Sequence, residues 1–244
     1  MTPYTTSPDS SRTSTRESRP PVPVVRPPER PPERPATAAA TPIVLEHPVA
    51  QHALTALRHR QTLGPDFRAH CHQLLLVLAL EATRSMALQT KVPVAGQGEE
   101  ARHLAKPIVF LAASRSAMGI AACLREFLPE TVFGSVSFDP TGAGDRLEPR
   151  LHVFHARSLS EVRVVLFQPI VASGLSATLA LSLLRKSGAN DVAVVSYITS
   201  AQGLARIRTG FPEVPVFTAA IDQGWANQLG PLPGIWNFEE RLCE

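Results

Sequence analysis

Cysteine is scarce in this chain: Cys71, Cys123 and Cys243 are the only three among 244 residues. An odd, scattered set without metal-ligand spacing argues against a disulfide framework and for a reducing cytoplasm. No hydrophobic signal core follows Met1, so secretion is not expected. The Ser/Thr/Arg-rich start has a composition like that of a transit peptide, but Asp9, Glu17 and the early prolines count against an amphipathic helix there. Lysine is nearly absent, at three of 24 basic residues, an arginine bias from which no function is read. The P-loop and dinucleotide fingerprints are missing, and so is a G-x-S-x-G nucleophile elbow, which sets serine hydrolase chemistry aside.

The first 42 residues differ in kind from the rest. They carry 11 of the 23 prolines, with Pro-Pro-Glu-Arg occurring twice between Pro27 and Arg34. Such a segment buries too little apolar surface to offset the ordering of its backbone, so residues 1–42 read as a disordered, partly polyproline II tail. A solvated tail is the expected state, with docking to a proline-recognising partner as the alternative. Its six arginines against four acids hold two of the three net positive charges, leaving 18 basic and 17 acidic residues from Ile43 to Glu244. A domain so close to neutral is not expected to bind nucleic acid.

Within residues 43–244, the stretch from Val164 to Lys186 is the most informative. It opens as an apolar, β-branched strand, turns at Gln168 to Ser173 around Pro169, and continues from Gly174 as a helix ending at Arg185 and Lys186. A bilayer span is the first alternative, because Val164 to Leu184 holds no charged residue. Pro169 and the Ser-Gly step interrupt any such helix, and similar runs at 107–112 and 192–198 point instead to one buried parallel sheet, so no membrane association is expected. Free N–H groups at a helix start attract anions, so Ala172, Ser173, Gly174, Leu175 and Ser176 could wrap a phosphate. An ordinary βα turn without ligand fits the loop equally well.

Elsewhere the pattern predicts helices at 47–60 and 66–87 and a polar loop from Lys91 to Lys106. Strands and helices then alternate: strand 107–112, helix 115–127, strand 131–138, an excursion at 139–150, strand 162–167, helix 174–187, strand 192–198, helix 201–209 and strand 215–220. This is an α/β pattern, a parallel sheet flanked by helices. Ligands of such sheets sit beyond the carboxyl ends of the strands, where Arg115, the 139–150 excursion and the 168–176 loop would converge. His70, Cys71 and His72 are neighbours along a helix and point apart, so no metal site is expected from them.

Several segments in order resemble the uracil phosphoribosyltransferases. They are HPVAQHALTALR (47–58), EATR (81–84), QPIVASGLSA (168–177), LLRKSGA (183–189), TAAIDQG (218–224), and PGI with the terminal ERL (233–235, 240–242). The resemblance covers roughly 45–244 and implies a type I phosphoribosyltransferase-like fold. It also implies transfer of phosphoribose from phosphoribosyl pyrophosphate to N1 of uracil, giving UMP and pyrophosphate, with magnesium on the pyrophosphate. Ala172 to Ser176 would then cradle the 5′-phosphate where the family has Ala-Thr-Gly-Gly-Ser. Arg115 matches the arginine of P-I-L-R-A-G-L-G-M and would face pyrophosphate, its alternative being a structural arginine bonded to a carbonyl. The base would lie against Ile235, Trp236, Asn237, Phe238 and Glu239, and a homo-oligomer is implied.

Three departures from the family stand out. Gln168 replaces the aspartate of D-P-M-L-A-T-G, removing a charge beside a centre that becomes oxocarbenium-like. Asp139 stands near the position of the family's flexible-loop arginine, which only Arg146, after a short insertion, could replace. Family Gly-Asp-Ala-Gly-Asp-Arg has become Trp236-Asn237-Phe238-Glu239-Glu240-Arg241, with Phe238 and Glu239 at small positions. Two expectations follow: a transferase for uracil or a related base, or a catalytically impaired relative that binds phosphoribosyl pyrophosphate or a nucleotide as a regulatory or assembly element.

Overall fold

The computed structural model describes residues 41–91, 101–140, 147–153, 158–226 and 230–244. A two-residue strand β1 (Ile43–Val44) leads into two helices, α1 (Pro48–Arg58) and α2 (Gly64–Thr83). His47 caps α1 by accepting the Val49 N–H on Nδ1, and Pro48 stands at the first helical position, where its missing N–H costs nothing. α2 stops at Thr83, short of the expected 87. An antiparallel pair follows, β2 (Leu88–Lys91) and β3 (Ala101–Leu104), the second strand lying within the expected 91–106 loop. Leu88 pairs with Leu104 at its base, and backbone pairing overrides polar composition there.

The main sheet begins with β4 (Ile108–Ala112). The expected 115–127 helix divides into α3 (Arg115–Ala121) and a 3-10 turn at Ala122–Glu126. Strands β5 (Val132–Pro140) and β6 (Leu147–Val153) pair antiparallel, so much of the supposed 139–150 excursion is a second hairpin arm. Then come β7 (Arg163–Phe167), the short β8 (Ile170–Val171), α4 (Leu175–Lys186), β9 (Val192–Ser200), α5 (Ala201–Gly210) and β10 (Val216–Asp222). A small hairpin, β11 (Gly224–Ala226) and β12 (Gly230–Leu232), and a terminal helix α6 (Phe238–Cys243) complete the chain.

Strand order is β1-β10-β9-β7-β4-β5-β6, with β8 beside β9, and every pairing is parallel except β5 with β6. The central strands are buried on both faces, which explains their unbroken apolar runs. Alternate residues divide between two cores. Phe110, Phe167 and Tyr197 face α1 and α2, while Leu111, Leu166 and Val194 face α4 and α5. On the first face an aromatic row runs Phe133, Phe110, Phe167, Tyr197, Phe238, Phe67, with successive ring centroids 5.9, 5.9, 5.3, 6.1 and 5.6 Å apart. The Tyr197 hydroxyl leaves that row satisfied, donating to the Cys71 carbonyl at 2.6 Å. Cys71 lies in this core, where burial pushes its thiol up to about 12. No helix of the described residues is long and apolar enough to cross a membrane.

Candidate functional site

At the carboxyl edge of the sheet, β7 ends at Phe167 and the chain crosses Gln168, Pro169 and β8 before entering α4. Gly174 caps α4 with φ of 74°, a left-handed conformation that glycine adopts without steric cost. Leu175 is the first residue of the helix proper, and its side chain is 41% exposed. Replacing a family glycine by Leu175 therefore leaves the loop's backbone demand on Gly174. The start of α5 braces the loop: Ser200 Oγ accepts the Gly203 N–H at 2.8 Å and donates to the Ala172 carbonyl at 2.5 Å. Ser173 Oγ accepts the Leu175 N–H weakly, at 3.4 Å. Beyond Leu175, the first N–H groups of α4 have no carbonyl one turn earlier in the helix and no partner among the described residues, an arrangement that suits an anion.

Beside this loop a cavity of about 980 Å³ opens between β4, β5, β7 and the C-terminal segment. Arg115, Asp139, Gln168 and Ser176 line it, and so do Ile235, Asn237, Phe238, Glu239 and Glu240 from the opposite side. Arg115 is the first residue of α3, whose cap Ser114 accepts the Ala117 N–H at 3.0 Å. It is exposed, and among the described residues it has neither an ion-pair nor a hydrogen-bond partner. Gln168 donates from Nε2 to the Ile170 carbonyl at 3.2 Å, and its Oε1 is buried without a partner among the described residues. Asp139 is neutralised across the hairpin by Arg150, with Nε to Oδ2 at 2.9 Å. Arg146 lies outside the described residues.

The C-terminal segment is fixed from beneath. Asp222, at the end of β10, pairs with Arg58 at 2.5 Å and accepts the Gly234 N–H at 2.8 Å. Arg241 is 1% exposed and donates to the carbonyls of Leu57, His59, Thr62 and Trp236, while its guanidinium stands 4.2 Å from the centre of the Phe67 ring. Between these anchors, Ile235 and Phe238 are buried and still reach the cavity. Trp236 turns away from it, 42% exposed beneath the Arg60 guanidinium. Asn237 takes φ of 44° and donates to Glu240 Oε2 at 2.5 Å. Glu239 Oε1 accepts from Ser116 Oγ at 2.7 Å, and Ser116 in turn bonds Ser114 Oγ at 2.8 Å.

Of the sequence-predicted residues, Arg115, Gln168, Ser176, Ile235, Asn237, Phe238 and Glu239 line this cavity, whereas Ala172 to Leu175 stand beside it, Trp236 turns away and Arg146 lies outside the described residues. Sequence reasoning missed Ser114, Ser116, Ser135 and Ser137, which carry no spacing signal, and gave no role to Asp222 or Arg241. An isolated Asp closing an apolar strand, and an Arg near the chain end, are the marks that could have prompted a search. Among the described residues no three His, Cys, Asp or Glu side chains group as a metal site.

Comparison with known proteins agrees with this architecture. The family profile of uracil phosphoribosyltransferase matches residues 44–243. The uracil phosphoribosyltransferases of Alkaliphilus oremlandii and Rhizobium rhizogenes are 27% and 28% identical over 206 and 203 residues, which is 82% of this chain and 96% of each relative. The solved structure of the AQ2163 protein from Aquifex aeolicus superposes with a TM-score of 0.72 at 24% identity, covering 83% of this chain and 97% of that one, a likeness of fold. With nearly the whole length from β1 to α6 inside the match, the chain belongs to the uracil phosphoribosyltransferase family.

Proposed function

We propose that this protein binds phosphoribosyl pyrophosphate and transfers its phosphoribose to uracil or a related base, releasing a nucleoside monophosphate and pyrophosphate. The observation that carries the reading is the one cavity onto which Arg115, Gln168, Ser176, Ile235 and residues 237–240 open. The loop before α4 and the start of that helix, from Ala172 to Ser176, hold the 5′-phosphate through backbone N–H groups and the Ser173 and Ser176 hydroxyls. Arg115 takes the pyrophosphate oxygens in its planar fork as charge builds on the leaving group. Gln168 accepts a ribose hydroxyl on Oε1, the buried oxygen that lacks a partner among the described residues. Magnesium arrives on the pyrophosphate as part of the substrate, where an ion of this kind keeps waters and takes substrate phosphates with few carboxylates.

One observation favours a second reading, a regulatory relative that binds the same ligand without turnover. Gln168 brings no negative charge to the ribose end, and its amide is tied to Ile170. Absent charge at a cationic transition state costs about 3 kcal/mol, roughly a hundredfold in rate. Pyrophosphate release with a panel of bases separates the two. Phosphoribosyl pyrophosphate should raise the melting temperature in either case, by mass action on the native state. Ser173→Asp, which sets a carboxylate where the phosphate would sit, should abolish that rise, and an unchanged rise would place the site elsewhere. Action in the cytoplasm and assembly into a homo-oligomer belong to the same proposal, the second testable by light scattering.

A further inference from the structure

The C-terminal side of the cavity carries two carboxylates, Glu239 and Glu240. Glu239 stands at its rim in the first turn of α6, its Oε1 fixed by Ser116 Oγ at 2.7 Å, and Ser116 is tied through Ser114 to the cap of α3. Glu239 Oε2 has no partner among the described residues. Glu240 is held by Asn237, and Arg115 is the only cationic side chain lining the cavity among those residues. Ile235 and Phe238 supply the apolar surface that a flat ring packs on.

Uracil suits such a wall poorly. Its hydrogen-bonding edge carries a ring N–H between two carbonyl oxygens, so a carboxylate that meets the N–H also meets two acceptors of like partial charge. A base with an exocyclic amine beside a ring N–H presents two parallel donors instead, the arrangement that a carboxylate takes in bidentate fashion. The carboxylate is also fixed before the base arrives, because the Ser114–Ser116 hydroxyl chain holds one oxygen, so little rotamer freedom is lost on binding.

We infer that Glu239 selects the acceptor, and that the acceptor is an aminopyrimidinone or aminopurinone, with an amine next to a ring N–H, in preference to uracil. This rests on the phosphoribosyl pyrophosphate reading above. Glu239 is a specificity residue that touches the base edge away from the reacting nitrogen.

The test uses the full-length protein with isocytosine, guanine and uracil as probes. Pyrophosphate release and calorimetric binding in the presence of phosphoribosyl pyrophosphate are measured for the parent and for Glu239→Gln. The parent should favour isocytosine or guanine over uracil by about tenfold or more, about 1.4 kcal/mol. Glu239→Gln, which offers one donor and one acceptor, should lose that preference and move toward uracil with an unchanged melting temperature. Equal or better use of uracil by the parent overturns the inference, as does a base ratio that Glu239→Gln leaves unmoved. Should no base release pyrophosphate, the transferase reading fails by itself, and binding ratios still decide the selection. Tighter binding of the amine-bearing bases supports it, and uracil binding as tightly, or no base binding, overturns it.

Discussion

A side chain on Gly174 would collide with Gly203: its Cβ would lie 2.7 Å from the Gly203 carbonyl oxygen, and a Cβ on Gly203 would lie 2.5 Å from the Ala172 carbonyl oxygen. The loop that caps α4 and the first turn of α5 are therefore in backbone contact, with Ser200 bonded to both. That contact holds the proposed phosphate cradle rigid.

Gly174→Ala should accordingly cost about 2–3 kcal/mol, from the left-handed backbone and the clash together, or roughly 5–10 °C in melting temperature. Gly203→Ala should cost a similar amount, and the double variant less than the sum, because either methyl separates the same two segments. Additive losses in a thermal-melt cycle would show that the contact does not couple them.

Arg241 is expected to be the most sensitive polar position of the chain. Arg241→Leu strands four carbonyls around the α1–α2 turn and the Trp236 bend, and should lower the urea-derived stability by about 3–5 kcal/mol. Arg241→Lys keeps the charge and loses the fork, so most of the loss should remain. A lysine variant as stable as the parent would mean that charge alone matters there.

Gln168→Asp restores a carboxylate beside the proposed ribose site and should raise turnover by about tenfold to a hundredfold. The shorter acceptor-only side chain cannot donate to the Ile170 carbonyl, and the melting temperature should drop by a few degrees, for about 1 kcal/mol. Pyrophosphate release and a melt of the same preparation check both parts. A variant that binds phosphoribosyl pyrophosphate while both it and the parent stay inactive would favour the regulatory reading.

Burial raises the Cys71 thiol to about 12 and the Cys123 thiol to about 11 from an ordinary value of 9.0, and the buried Tyr197 hydroxyl moves the same way. The unfolded chain gives up these thiol protons as pH rises past about 9 while the native chain keeps them, so their contribution is whole below that pH and is lost towards 12. Urea midpoints should fall between pH 8 and pH 10, less steeply in Cys71→Ala. At pH 8 a thiol reagent should modify exposed Cys243 well before the other two.

Removing residues 1–42 should leave the melting temperature of the domain unchanged, because that proline-rich stretch carries no apolar periodicity with which to pack. Starting the chain at Glu46 deletes β1, whose two residues pair with Phe217 and Thr218, and should cost several degrees. Equal melting temperatures for the two truncations would show that β1 contributes nothing.

The buried strands were legible from the sequence, since strands covered on both faces must be apolar throughout: 107–112, 162–167 and 192–198 agree closely with β4, β7 and β9. Arg115, the 172–176 loop and the 235–239 segment could be named from local pattern and family likeness, because each lies within a short run of chain. The 88–104 pair and the second arm at 147–153 were not legible, since their hydrogen bonds go to a neighbouring strand, which composition does not reveal. Only the tertiary structure joined Ser116 to Glu239 across 123 residues and Asp222 to Arg58 across 164. It also buried Phe238 against Phe67 and Tyr197 while turning Trp236 outward. A sequence sets periodicity and turn chemistry residue by residue, but the partner of a lone polar side chain depends on which distant backbone the packed sheet brings within 3 Å, and that is decided only when the whole chain has folded.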